Sequence, residues 1–451
     1  MRVRWWRLLA VPAAGLLLVA GCWGGAGRDA APTAVTPTLP VAATPQPSGS
    51  GPLLGAIWSE PPATLRLARL DPVQLQPLPG PRLKLNGNWS VQTVAPDRSI
   101  AVLSNDDGDL AVVDLVRMRN LGRMRLPTIG LRVGWVAAST FVGRSRLLLA
   151  GAAGDDTVST VAVTLVDLAT RRVLRQQHLN GQVLASARLP GGLALLLAPS
   201  ATIGAARLAL VRSDTRVRVV TLDRIAAGFQ RLRSDESDPR SRQAVPGLAV
   251  DAAGRHAFVV AAAAAAAEVD LVSLGVVYHR LGRPASPLRR LASWLLAPAE
   301  AKETSGPVRS VLWLGDGLLA VVGVDASAGG GFTELPSGLE LVDTRTWTAR
   351  RIEQHASSAI WVGGRLLVWG VSFGPDRNQG YGLMVFGPGQ RRPVHLLGSQ
   401  QVVWVQASGE LAYASLSEGD QTAYAVIDLR SNRVLRHAHG DLPQLILPGM
   451  P

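Results

Sequence analysis

The chain has 451 residues, 47% of them hydrophobic, which is enough to bury a substantial core. Its net charge is +13, from 46 basic and 33 acidic side chains; only Lys84 and Lys302 are lysines, and the arginines are scattered. That scatter, without one basic helix or face, argues against a nucleic-acid footprint, and a single cysteine excludes an intramolecular disulfide.

Taken from the N-terminus, Arg2, Arg4 and Arg7 precede an apolar run from Leu8 to Ala20, then Gly21 and Cys22. Charged, apolar and small segments in that order read as a secretory signal peptide over residues 1–21. The run is too short to span a bilayer, which needs about 20 apolar residues. Leu18-Val19-Ala20-Gly21-Cys22 resembles the lipobox of bacterial lipoproteins. The resemblance implies cleavage before Cys22 and a lipid on its thiol, with acyl chains such as palmitate. It places the mature protein at the cell membrane, facing away from the cytoplasm. Residues 22–52, rich in Pro, Thr, Ala, Gly and Ser, read as a disordered tether. Thirty such residues span about 30 Å by flexible-chain scaling.

Residues 53–451 carry internal repeats. AVVDL (111–115) returns as TLVDL (164–168), EVDLV (268–272), ELVDT (340–344) and AVIDL (425–429). Weaker copies are LARLD (67–71), LALVRSD (208–214) and LMVFGPG (383–389), the last with a glycine turn in place of Asp. Each copy is an apolar strand ending in a turn residue. A further strand follows it, and a hairpin of two strands precedes it. The resulting four-stranded unit fits a β-propeller blade. Seven complete units begin near residues 89, 132, 181, 245, 306, 357 and 401. An incomplete first unit, 53–82, shows three strands: LLGAIWS, TLRLARLD and VQLQPL. Its missing innermost strand is expected from LPQLILPG (442–449), which gives an all-β ring of eight blades, with seven the alternative. The phrases resemble the YVTN-type and WD-like propellers of bacterial surface proteins. That resemblance implies the fold and leaves function to the site.

Residues that carry chemistry are sparse. His178, His279, His355, His395 and His437 fall in outermost strands, far apart around a rim, and no metal site is expected from them. His437 and His439 share a strand face, but two ligands make a poor site. The repeated Asp is expected to cap its turn through backbone N–H groups. Asn105-Asp106-Asp107-Gly108-Asp109 lacks the spacing of a calcium loop and reads as a polar hairpin turn. No nucleophile elbow, phosphate loop or metalloprotease motif is present, so the sequence names no catalytic residue and no cofactor.

Trp135, Trp313, Trp361 and Trp404 stand late in the innermost strands of four units, at nearly equivalent places. They serve packing between blades, or else form aromatic contacts for a ligand. One segment breaks the β pattern. In PASPLRRLASWLLAPAEAKETSG (284–306), Leu288, Leu291 and Leu295 repeat at helical spacing with Trp294 beside them. The reading is a short helical insertion near 286–302 that packs over the ring, with an amphipathic segment on the lipid surface, or a lid or docking element for a partner, as the alternatives. A charged loop, 223–244, precedes the fifth unit. The functional expectation is a monomeric, membrane-tethered scaffold that binds a protein, peptide or glycan. The alternative is an exported carbohydrate lyase or hydrolase with a site at the channel mouth.

Overall fold

The computed structural model describes residues 52–59, 64–105, 107–126, 136–153, 160–200, 202–231, 241–262, 265–282, 307–327, 333–373, 378–388, 390 and 392–445. Cys22, the tether, Trp135 and the 284–306 insertion with Leu288, Leu291, Trp294 and Leu295 lie outside them. The described strands form eight antiparallel sheets, arranged as the blades of one ring. Blade 2 is typical, with Trp89–Val94 innermost, then Ile100–Asn105, Asp109–Asp114 and Arg119–Arg125 outermost. The innermost strands of blades 3 to 8 begin at Val136, Gln182, Gly247, Val308, Ser358 and Gln401, close to the expected starts.

Blade 1 closes the circle. Its own strands are Leu53–Ser59, Thr64–Leu70 and Leu83–Asn86, and Gln444–Leu445 supplies the innermost place. Gly55 pairs with Leu445 and Ala56 with Gln444, so the last blade is covalently tied to the first. This removes an open sheet edge at the seam. The expected third strand over VQLQPL is not formed. Asp71 instead caps a turn there, accepting from the backbone N–H of Val73 and Gln74 at 2.8 and 2.5 Å. Only a single bridge, Leu70 to Pro77, survives, and the outermost strand waits until Leu83. The charged 223–244 segment is also not a plain loop: the outermost strand of blade 4 continues to Arg231, and Ser241–Ala244 returns along it.

Eight hydrophobic clusters hold the ring, one at each junction between neighbouring blades. At the closing junction Leu53 and Leu70 of blade 1 meet Tyr413, Tyr424 and Val426 of blade 8. Each strand therefore sends alternate side chains into the clusters on its two flanks, as period-two geometry requires.

The repeated aspartates sit in the turn between the third and outermost strands, as expected. Asp114 accepts from Val116 and Arg117 N–H at 3.0 and 2.8 Å, and Asp167 and Asp270 hold the same contacts. Four residues after the Asp, the chain enters the left-handed region at Leu75, Met118, Arg171, Leu274, Trp347 and Asn432. That conformation costs a non-glycine residue about 1–2 kcal/mol. Burying a Leu or Met side chain contributes about 1.5–3 kcal/mol. Leu75, Met118, Leu274 and Trp347 all point back into the junction with the preceding blade, so burial offsets the strain. Blade 7, with Gly387 in place of the Asp, closes its turn through Gln390.

Candidate functional site: a polar cleft over blades 6 to 8

In a ring of antiparallel blades, connections within a blade between the second and third strands share one face with connections between blades. The Asp turns and the first hairpin turns share the other. The two faces differ in loop length. The Asp-turn face has short links such as 115–118, 168–171 and 344–347. At the opposite face the described strand ends lie farther apart in sequence: ten residues separate Arg125 from Val136, nine separate Arg231 from Ser241, and 27 separate Arg280 from Val308. Recognition residues concentrate on such elaborated loop faces.

A cleft of about 780 Å³ opens on this long-loop face. It is lined by Leu335 of blade 6, Ser372, Phe373 and Asn378–Gly380 of blade 7, and Ser399, Gln401, Ser417, Gly419 and Asp420 at blade 8. One wall is fixed by the short strand Thr333–Pro336, where Glu334 and Phe373 exchange two backbone hydrogen bonds at 2.8 and 3.0 Å. The opposite wall is tied across blades by Gln401 Nε2, which donates to the Asn378 carbonyl at 3.2 Å. Gly380 permits that approach, because a Cβ there would collide with the backbone of Gln400 and Gln401. Ser372 and Tyr381 share a hydroxyl hydrogen bond of 3.2 Å beneath the floor. Among the described residues the lining is thus amides and hydroxyls around two apolar surfaces, Leu335 and Phe373, with Asp420 the one carboxylate.

Beside Ser417, Glu418 gathers the nearest ionisable groups. Its carboxylate meets His437 Nε2 at 3.0 Å, His439 Nδ1 at 3.6 Å and Gln400 Nε2 at 2.9 Å. The shared face of the two histidines is visible in sequence; the glutamate across the blade is not. Of the other histidines, His279 stacks on Trp347 at 4.0 Å, and His355, which lies past the end of the outermost strand Thr348–Glu353 and not in it as expected, stacks on Tyr381 at 4.3 Å; each is beside a carboxylate. Among the described residues, no group of three or more His, Cys, Asp or Glu side chains is arranged to hold a metal ion. The Asn105–Asp109 stretch is a polar turn: Asn105 Oδ1 accepts from the N–H groups of Asp107 and Asp109.

The three described tryptophans of the expected set are half-buried and pack against inter-blade clusters. Trp313 stacks on Phe258 of blade 5, with ring centroids 5.2 Å apart. They are not all equivalent. Trp313 and Trp361 stand across from the residue before the Asp or glycine turn. In blade 8 that place belongs to Ala407, and Trp404 lies three residues earlier. The three described tryptophans therefore do not stand at one level of the ring.

Arg188, late in the innermost strand of blade 4, donates from Nη2 to Thr93 Oγ1 of blade 2 at 3.4 Å, past the whole of blade 3. Its side chain is open to solvent yet surrounded by protein, as expected in a water-filled channel. That environment lowers its pKa from the ordinary arginine value by desolvation.

No family model matches the chain, and no curated protein does. Among solved structures it is similar to "Dihydro-heme d1 dehydrogenase NirN in complex with DHE", at 12% identity and a TM-score of 0.52, over 92% of this chain and 78% of that one. Weaker likenesses are to the Cps50 (Swd1) β-propeller domain of Myceliophteria thermophila, at 12% identity and a TM-score of 0.40, covering 79% and 88% of the two chains. BamB from Moraxella catarrhalis matches at 12% and 0.39, covering 73% and 84%. At 12% identity the first of these likenesses shows the fold alone, and it agrees with the all-β propeller described above.

Proposed function

We propose that this propeller is a membrane-tethered, extracytoplasmic module that binds a protein, peptide or glycan without transforming it. Lipidated Cys22 holds it at the membrane, and residues 22–52 form its leash. The observation that carries the binding reading is the cleft lining. Amides and hydroxyls suit a ligand rich in hydroxyl or amide groups, and Leu335 with Phe373 suits its apolar faces. Glycoside hydrolysis by acid–base chemistry needs a pair of carboxyl groups flanking the bond. The described lining holds Asp420, and Glu418 stands at its border.

A second reading, an exported carbohydrate lyase or hydrolase, is favoured by one observation: Glu418 with His437 and His439 at the cleft border. The two readings part in one experiment. The full chain in detergent is titrated with glycan fragments and peptides, and the ligand is recovered afterwards. Binding predicts an unchanged ligand and, for Gln379→Ala or Gln401→Ala, affinity about tenfold weaker, the worth of one lost hydrogen bond. A cleaved product that disappears in Glu418→Gln would establish the enzyme instead. The anchor is tested by labelling cells with a lipid precursor. Label should vanish in Cys22→Ala, and an unchanged distribution would sink the tether.

A further inference from the structure

Leu53, the first residue of the ring, pairs with Leu70 beside the Asp71 turn. The chain therefore enters the propeller from the Asp-turn face, opposite the cleft. On that face, over blades 2 to 5, exposed arginines cluster: Arg98, Arg144, Arg171, Arg172, Arg212 and Arg255. Two exposed aliphatic tips flank them, Val116 at 60% exposure on blade 2 and Val272 at 73% on blade 5. The aspartates of the same turns, Asp97, Asp114, Asp167, Asp214, Asp251 and Asp270, accept backbone N–H groups, which holds Asp97, Asp114, Asp167 and Asp270 below the usual carboxyl range and so keeps them charged; the arginines of this face, Arg117 and Arg216 included, still outnumber them. Around the cleft the balance reverses, with Glu418, Asp420 and Asp441 on the long-loop side. Arg188 stands in the channel toward the arginine-bearing end.

We infer that the Asp-turn face of blades 2 to 5 docks on an anionic lipid surface, with the valine tips at headgroup level and the cleft turned away from the membrane. Arginine near an anionic leaflet is worth about 1 kcal/mol per side chain, or about fivefold in partitioning. Apolar tips at the interface add to this by burial. The entry point of the leash makes the geometry self-consistent: a tether leaving this face needs no detour around the disc. The orientation rests on the tethering proposed above, whereas the affinity of the face for anionic lipid does not.

The test uses the full chain with vesicles of phosphatidylcholine alone or with one-third phosphatidylglycerol, and reads amide hydrogen exchange. The account expects exchange at 115–118, 168–171 and 271–275 to slow at least several-fold on the anionic vesicles only. High salt should abolish the effect, since screening shortens the range of such contacts to a few Å. The combined variant Arg144→Gln, Arg171→Gln, Arg172→Gln, Arg212→Gln should lose it while keeping the parent's unfolding transition. Equal exchange on both vesicles, or protection of the cleft loops instead, would overturn the inference. The mass of the mature protein is measured alongside. An unlipidated Cys22 would remove the tether, while lipid-dependent protection would still stand or fall by itself.

Discussion

Tyr413 stands in the second strand of blade 8, fully buried where that blade meets blade 1 among Leu53, Leu70, Tyr424 and Leu442. Its hydroxyl has no hydrogen-bonding partner among the described residues. Burial, with Asp71 nearby, pushes its pKa well above the ordinary tyrosine value. Leaving a buried hydroxyl unsatisfied costs about 1–3 kcal/mol, whereas a phenyl ring of the same shape leaves no such group. Tyr413→Phe is therefore expected to stabilise the ring by about 1 kcal/mol. Tyr413→Ala, which empties the closing junction, should cost about 3–5 kcal/mol. The assay is equilibrium urea unfolding followed by tryptophan fluorescence, comparing midpoints at unchanged slope. A lower midpoint for Tyr413→Phe would refute the reasoning, because it would mean that the hydroxyl has a partner it needs.

The left-handed turn positions make a paired prediction. At exposed Arg171, φ 56°, glycine should gain about 0.5–1 kcal/mol by relieving strain. At Trp347, φ 54° but buried, the same change should lose about 3 kcal/mol or more. Losses at both sites, read by urea midpoints, would show that no strain is stored there. Acid stability follows from the turn carboxylates. Asp343 is held low by the Arg345 side chain and Asp428 by the Ser431 hydroxyl, each also by backbone N–H groups. A folded pKa below the unfolded value of about 3.9 gives stability that is present above about pH 4. It is lost as pH falls through the folded value. Unfolding midpoints measured from pH 5 down to 2 should decline, less steeply in Asp343→Asn, and a flat profile would contradict the assignment.

The architecture was legible because one local device repeats. An apolar strand ending in Asp gave a sharp marker in six blades, and that Asp does cap the turn it predicts. Even the closure was readable, since a first unit lacking one strand and a C-terminal apolar segment without a unit imply each other. Local pattern failed where turn chemistry and strand signal overlap. Val73–Leu78 alternates like a strand, but Asp71 and two prolines bend it into a turn. It failed again for Trp404, because bulges shift register between inner and second strands in blades 6 and 8 and sequence position no longer reports height. The cleft was not readable at all. Its lining runs from Leu335 to Asp420 and comes from strand ends of three blades, where its Ser, Gln, Asn and Gly residues are ordinary in sequence. Glu418 was hidden for the same reason: its two histidines lie on the blade's outermost strand, and only folding sets them beside it.

The most direct test of binding at the cleft is amide hydrogen exchange of the full chain with and without a ligand captured in the titration above. The account predicts slowed exchange at 372–373, 378–380, 399–401 and 417–420, with the Asp-turn face unchanged and the ligand recovered intact. Protection confined to other segments, or a ligand recovered in pieces, would contradict it.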